Sequence, residues 1–324
     1  MNLTRSLIIL SLALTLGPAL PAPAQPIALA ATNYAEVLSA SSDYGAARVF
    51  RDLPYVPNPA PNQNLDIYVP ANVPANVPAN AGAQAGPVPV VLWIHGGAWM
   101  MGYKDWDNVK YLVRHGYAIA SVDYRFTPKS RFPAQIQDCN AALNFIRKHG
   151  ADYGLDTSRI IVAGGSAGGH LALLLGLARN QPDFGADPRF KPVAILDFFG
   201  PVDFNRMQSD LQGIQSDTGL KLFEDAGPKL LGEPVTNSTA AQTNASPITY
   251  VHAGSPPVLI LHGTDDNLVP FAQSSRLHDA LDAVGVKNQL IPVPKTGHDG
   301  PHFSTPEMQT NVLEFLNTVL KPKS

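Results

Sequence analysis

At 324 residues, with 45% hydrophobic and 15% charged side chains, the chain has ample apolar material for a core, which excludes wholesale disorder. A formal net charge of -3 and a pI of about 6.3 supply no basic field to hold a phosphate backbone, which argues against a nucleic-acid partner. No polybasic cluster or long amphipathic segment points to a membrane surface.

In chain order, the first feature is Arg5 followed by an apolar run over 7–16 and then small residues and prolines. Ala22-Pro23-Ala24 and Ala28-Leu29-Ala30 both fit a small-residue cleavage site. A short positive start, an apolar stretch too short to span a bilayer and an A-x-A site form the pattern of an export signal. Residues 1–24 are therefore expected to be a signal peptide, with cleavage as late as residue 30. The mature chain would be secreted or periplasmic, with no stable membrane association. The single cysteine, Cys139, rules out an internal disulfide and sits in an apolar helical pattern that suits a buried, inert thiol.

From about residue 45 strands and helices alternate. Strands are predicted over 47–53, 64–69, 89–95, 117–124, 160–164, 193–198, 258–262 and, more weakly, 289–293. Helices are predicted over 134–149, 167–179, 272–284 and 308–320. Most of the strands are near-continuous apolar runs, as expected of strands buried on both faces of a parallel sheet. The alternation implies an α/β domain over 45–322, an open, mostly parallel sheet of eight strands with helices on both faces. Val-Pro-Ala-Asn repeats three times over 69–80, and proline every fourth residue suits neither helix nor sheet, so this stretch reads as an expanded surface loop. Residues 201–249 fit the alternation poorly. They carry one helical patch near 220–231 and read as a cap-like excursion over the strand ends.

In open parallel sheets ligands bind beyond the carboxyl ends of the strands, so the chemistry should sit there. Gly164-Gly165-Ser166-Ala167-Gly168 is a G-x-S-x-G segment between a strand and a helix. A serine on such an elbow is forced into a strained backbone shape, and its neighbours two residues away must be small. Upstream, His95-Gly96-Gly97-Ala98-Trp99 ends a buried strand. Consecutive glycines there can aim N–H groups at one point, so Gly96, Gly97 and Ala167 are the expected oxyanion-hole donors.

A serine hydroxyl needs a base to take its proton, and the base needs an acid to orient it. His298 lies in a glycine-flanked loop after the last strand, and the run Thr264-Asp265-Asp266 follows the preceding one. The order Ser, Asp, His is that of the α/β-hydrolase fold. Both Asp265 and Asp266 are open to the acid role on this reading.

At this point the chain resembles the bacterial esterases that include the bifunctional feruloyl and acetyl-xylan esterases, themselves related to hormone-sensitive-lipase-like carboxylesterases. Their H-G-x-x-D-x-x-V-P pattern falls on His262, Gly263, Asp266, Val269 and Pro270, and so selects Asp266, leaving Asp265 as a turn residue. Asp123-Tyr124-Arg125 and Ser246-Pro247-Ile248-Thr249-Tyr250 extend the likeness. Gly165 and Ala98 depart from the lipase-like pattern, which usually has Asp at the first of these positions and often Gly or an aromatic residue at the second.

The resemblance implies a serine carboxylic-ester hydrolase working through an acyl-enzyme, without a cofactor, on short-chain, acetyl or feruloyl esters, small or glycan-linked. The same triad would serve an amide hydrolase such as a peptidase or aryl formamidase. A catalytically dead binding protein is a further reading, against which the complete triad argues. Trp99 and Tyr124, near strand ends, are expected substrate contacts. His170 and His262 are expected to be structural. His298 and His302 lie among prolines and glycines without a metal-binding motif, so no metal site is expected.

Overall fold

The computed structural model describes residues 46–70, 86–235 and 238–320, all within the unit Asp43–Ser324. The expected signal peptide, and the Val-Pro-Ala-Asn repeats beyond Pro70, lie outside the described residues.

Eight strands form one sheet: β1 (Ala46–Pro54), β2 (Asn64–Pro70), β3 (Val88–Ile94), β4 (Ala118–Val122), β5 (Leu155–Gly165), β6 (Ala194–Phe198), β7 (Val258–Gly263) and β8 (Asn288–Val293). Their spatial order is β1-β2-β4-β3-β5-β6-β7-β8, with β2 antiparallel to both neighbours and the remaining pairs parallel. This is the sheet of the α/β-hydrolase fold.

The interior strands are apolar on both faces because helices cover both. Along β3, Val90, Leu92 and Ile94 join one core cluster while Val91 and Trp93 join the other, as the two-residue period of a strand requires. The first cluster takes in α1 (Ala134–His149), α2 (Ala167–Leu177) and α6 (Phe271–Ala283); the second is closed by α7 (Pro306–Leu320) through Val312, Phe315 and Leu316. Every residue of α2 is buried, which explains why its sequence carries no polar stripe. Cys139 on α1 is buried and its thiol is pushed well up by desolvation, as expected of an inert side chain.

Two readings need adjustment. Strand β5 begins at Leu155, five residues before the apolar run, because Leu155 and Asp156 pair with Val88 and Pro89 before an irregularity at Thr157-Ser158-Arg159, and pairing resumes at Ile160 opposite Val90. The excursion holds three helices rather than one: α3 (Phe204–Gly213), α4 (Asp217–Leu231) and α5 (Ala240–Ala245). Side-chain caps from Asp203, Ser216 and Thr239 start them. Their apolar faces enter the first core cluster through Phe204, Met207, Leu211, Phe223 and Leu230. Gln273 on α6 accepts the N–H groups of Val202 and Asp203, and Arg276 pairs with Asp210, so the excursion is tied to the body by polar contacts as well. Among the described residues no helix is long and apolar enough to cross a membrane.

Candidate active site

Four loops at the carboxyl ends of β3, β5, β7 and β8 supply the site. Between β5 and α2, Ser166 is held at φ 55°, ψ -120°, a conformation that costs a non-glycine residue about 1–3 kcal/mol. Its backbone compensates: Ser166 N–H donates to Phe198 O at 2.9 Å, and its carbonyl accepts from His170 N–H at 3.0 Å. The flanking glycines are required by space. A Cβ on Gly164 would lie 2.3 Å from Gly168 O, and one on Gly168 would lie 1.9 Å from Ile94 O.

The serine hydroxyl donates to His298 Nε2 at 2.8 Å, and His298 Nδ1–H donates to Asp266 Oδ2 at 2.7 Å. Asp266 is buried, and its other oxygen accepts the N–H groups of Leu268 and Val269 at 2.8 and 2.9 Å. Burial by itself would raise this carboxyl. Hydrogen bonds from His262 and His298 outweigh that and hold it well below the usual carboxylate range. Asp265 is exposed and accepts a bond from Thr264, as a turn residue would. The imidazole of His298 also packs edge-on against Phe199, centroids 4.8 Å apart, with Phe303 behind.

The residues expected to bind an oxyanion are brought beside the serine. A Cβ on Gly96 would lie 3.3 Å from Ser166 Cβ, so the two loops touch. Gly97, Ala98 and Trp99 all have positive φ, and the Gly97 carbonyl accepts from Met100 and Met101 in a tight turn. Ala167 begins α2, where a first-turn N–H has no partner inside the helix. The assembly has what acyl transfer requires: a nucleophile bonded to a base, the base bonded to a buried acid, and backbone donors at the elbow.

The sequence profile of the BD-FAE family matches residues 65–281, about two thirds of the chain. The chain belongs to the BD-FAE family. Among curated proteins, this BD-FAE member is 35% identical over 207 residues to LipM of Mycobacterium tuberculosis, named a probable carboxylic ester hydrolase, a match covering 61% of this chain and 46% of that one. The chain spans about half the length of the first curated relatives it matches. Among solved structures it resembles a truncated carbohydrate esterase from gut microbiota (TM-score 0.72, 25% identity, 86% of this chain and 98% of that one). It also resembles the propionate-bound esterase Est2 of Thermogutta terrifontis (TM-score 0.62, 25% identity, 86% and 97% of the two chains).

Two residues expected at the substrate lie elsewhere in this BD-FAE chain. Tyr124 is fully buried; its ring stacks on His95 at 4.5 Å and its hydroxyl donates to His95 O at 3.1 Å. Trp99 is 6% exposed, and its indole N–H donates to His170 Nδ1 at 3.2 Å. Both are correctly placed near strand ends, but their polar atoms are used inside the protein. Through these contacts they brace the oxyanion segment. His170 is likewise buried, with Nε2 bonded to Ala245 O, and desolvation lowers it to about 4, so it is a neutral strut. His95 is lowered to about 4 by burial, and its Nδ1 lies 2.6 Å from Gly96 O. Exposed large side chains follow a few residues later. Met101, Tyr103 and Trp106 are exposed, the last two with ring centroids 4.9 Å apart. Gly102, between them, packs on His95 and the Gly96 carbonyl. Nothing in their periodicity marks these residues, because loop exposure is decided by the fold.

Behind the elbow, Asp197 on β6 is fully buried against Gly169 and Gly200, and its Oδ1 accepts from Gly200 N–H at 3.1 Å. Burial raises it to about 8, against the opposing bond from Gly200, so it is mostly protonated at neutral pH. From about pH 4 to pH 8 the folded protein then keeps a proton that the unfolded chain has released. Its contribution to stability falls across that window by up to about 1.4 kcal/mol per pH unit. Asp197→Asn, neutral at every pH, should show a smaller drop in Tm between about pH 5 and pH 9 than the parent protein in thermal unfolding followed by circular dichroism. An equal drop in both would show that Asp197 is ionised in the folded state at neutral pH.

Proposed function

We propose that the protein is a serine carboxylic-ester hydrolase acting through an acyl-enzyme on short-chain, acetyl or feruloyl esters, including esters carried on glycans. The observation that carries this reading is the continuous hydrogen-bond chain from Ser166 through His298 to Asp266, with links of 2.8 and 2.7 Å. Ser166 Oγ attacks the acyl carbon as its proton passes to His298 Nε2, and Asp266 stabilises the resulting imidazolium. The carbonyl oxygen, now negative, is met by the N–H groups of Gly96, Gly97 and Ala167. Losing one such donor typically costs roughly 2.7–4 kcal/mol of transition-state stabilisation. His298 then returns the proton to the leaving alcohol. Water, deprotonated by the same imidazole, releases the acid.

The exposed Met101, Tyr103 and Trp106, which follow the oxyanion turn in the chain, support a substrate with an aromatic acyl group or a sugar ring, either of which can rest on an aromatic face. The relatives named as a carbohydrate esterase and as a propionate-bound esterase support the same range of substrates. The export pattern at residues 1–24 supports work outside the cytoplasm, where polymeric esters are met.

A fluorophosphonate probe should label one residue, Ser166, and labelling should abolish turnover of p-nitrophenyl acetate. A profile over acyl length, acetyl-xylan and methyl ferulate then ranks the substrates. Absence of labelling, with no ester turned over, would defeat the assignment.

A further inference from the structure

Two imidazoles meet on one carboxylate oxygen. His298 Nδ1 lies 2.7 Å from Asp266 Oδ2, and His262 Nε2 lies 3.1 Å from the same atom. His262 is the penultimate residue of β7, four residues before Asp266, and is fully buried. Its Nε2 also faces the Val269 carbonyl at 2.8 Å, while Nδ1 faces Ser274 Oγ, on α6, at 2.6 Å. A carbonyl and a carboxylate only accept, so Nε2 must carry the hydrogen and share it between them. The hydroxyl of Ser274, which can donate or accept, suits Nδ1 in either protonation state. Phe271 of α6 packs on the ring, with centroids 5.6 Å apart. Of these groups facing His262, Asp266 is the titratable one; those facing His298 are Asp266, Ser166 and Phe199.

We propose that His262 is a positioning residue that sets, through the shared Asp266 oxygen, how strongly the acid draws His298 toward its protonated form. The inference rests on the esterase reading of the triad. Oδ1 is already anchored by the Leu268 and Val269 N–H groups, so the carboxylate stays in place without His262. What disappears is one of the two donors on Oδ2, so the carboxylate's negative charge is less stabilised and acts more strongly on His298. The imidazolium is then favoured, and the base loses activity at a higher pH.

His262→Leu should therefore move the acidic limb of the kcat/KM profile for p-nitrophenyl acetate upward by about one pH unit, the equivalent of one charge-assisted hydrogen bond. The alkaline plateau, per fluorophosphonate-labelled site, should stay within about threefold. His262→Gln, whose amide nitrogen can stand where Nε2 stands, should return the limb toward its parent position. A lower plateau with an unmoved limb, or a Gln variant no better than Leu, would overturn the proposal and leave His262 a packing residue. A second measurement needs neither folding of a variant nor turnover. In the 15N-histidine-labelled parent protein, NMR should find the His262 proton on Nε2. A bare Nε2 would overturn the proposal even if the protein proved to be an esterase, and an inert protein with Nε2–H in place would count against the esterase reading alone.

Discussion

Ser166→Ala should lower kcat for p-nitrophenyl acetate roughly a million-fold, the scale seen when a serine-hydrolase nucleophile is removed. Tm should change little. The reason is specific to the elbow. Alanine keeps the backbone bonds that hold position 166, from its N–H to Phe198 O and from His170 N–H to its carbonyl, and it tolerates the same left-handed shape at a cost the parent already bears. What is lost is the oxygen 2.8 Å from His298. Any residual acceleration would come from the N–H groups of Gly96, Gly97 and Ala167 acting on a substrate attacked directly by water. Steady-state kinetics on protein shown by circular dichroism to be folded measures the loss. Retention of more than about one hundredth of the parent rate would mean that the nucleophile is another group.

The second large effect is steric. Gly168→Ala places a methyl 1.9 Å from Ile94 O and 2.6 Å from His95 O, both backbone atoms of the neighbouring strand end. A flexible side chain could swing away from such a contact; a paired β-strand has to move as a whole. Overpacking of this kind costs about 1–3 kcal/mol and sometimes more, and here the upper end applies because nothing nearby can yield. The displacement would also separate Gly96 and Gly97 from Ser166, so activity should fall by at least a hundredfold even in the folded fraction. Differential scanning calorimetry and active-site titration together test this. A variant with parent Tm and parent turnover would mean that the elbow does not approach β3 so closely.

Much of this was legible beforehand because it is local. The apolar runs of β3 and β5–β7, the small residues at 164 and 168 and the Ser, Asp, His order all follow from constraints acting within a few residues, so the eight strands and the elbow could be read directly. The excursion was harder. Its helices α3 and α5 are polar over most of their length and become recognisable once Phe204 and Met207 are seen in the first core cluster, Phe204 against His170 of α2, with Gln242 buried and donating to Phe204 O. Trp99 and Tyr124 went astray for a related reason: proximity to a strand end says where a backbone lies and not which way a ring turns. The ring of Tyr124 is drawn under His95, where its hydroxyl has an acceptor, and that partner is 29 residues away in the chain.

The amino-acid order alone is enough to specify the sheet, the strained serine and the kind of chemistry, since each depends on residue type at short spacing. Choice among partners is a different matter. Which aspartate meets His298 and which aromatic rings stay exposed are settled when distant segments pack, as is His262 sharing the acid's oxygen. Asp266 and His298 are 32 residues apart, a separation that carries no signal of their distance in space, whereas His262, only four residues before Asp266, shares its oxygen with His298 once that distant loop has packed.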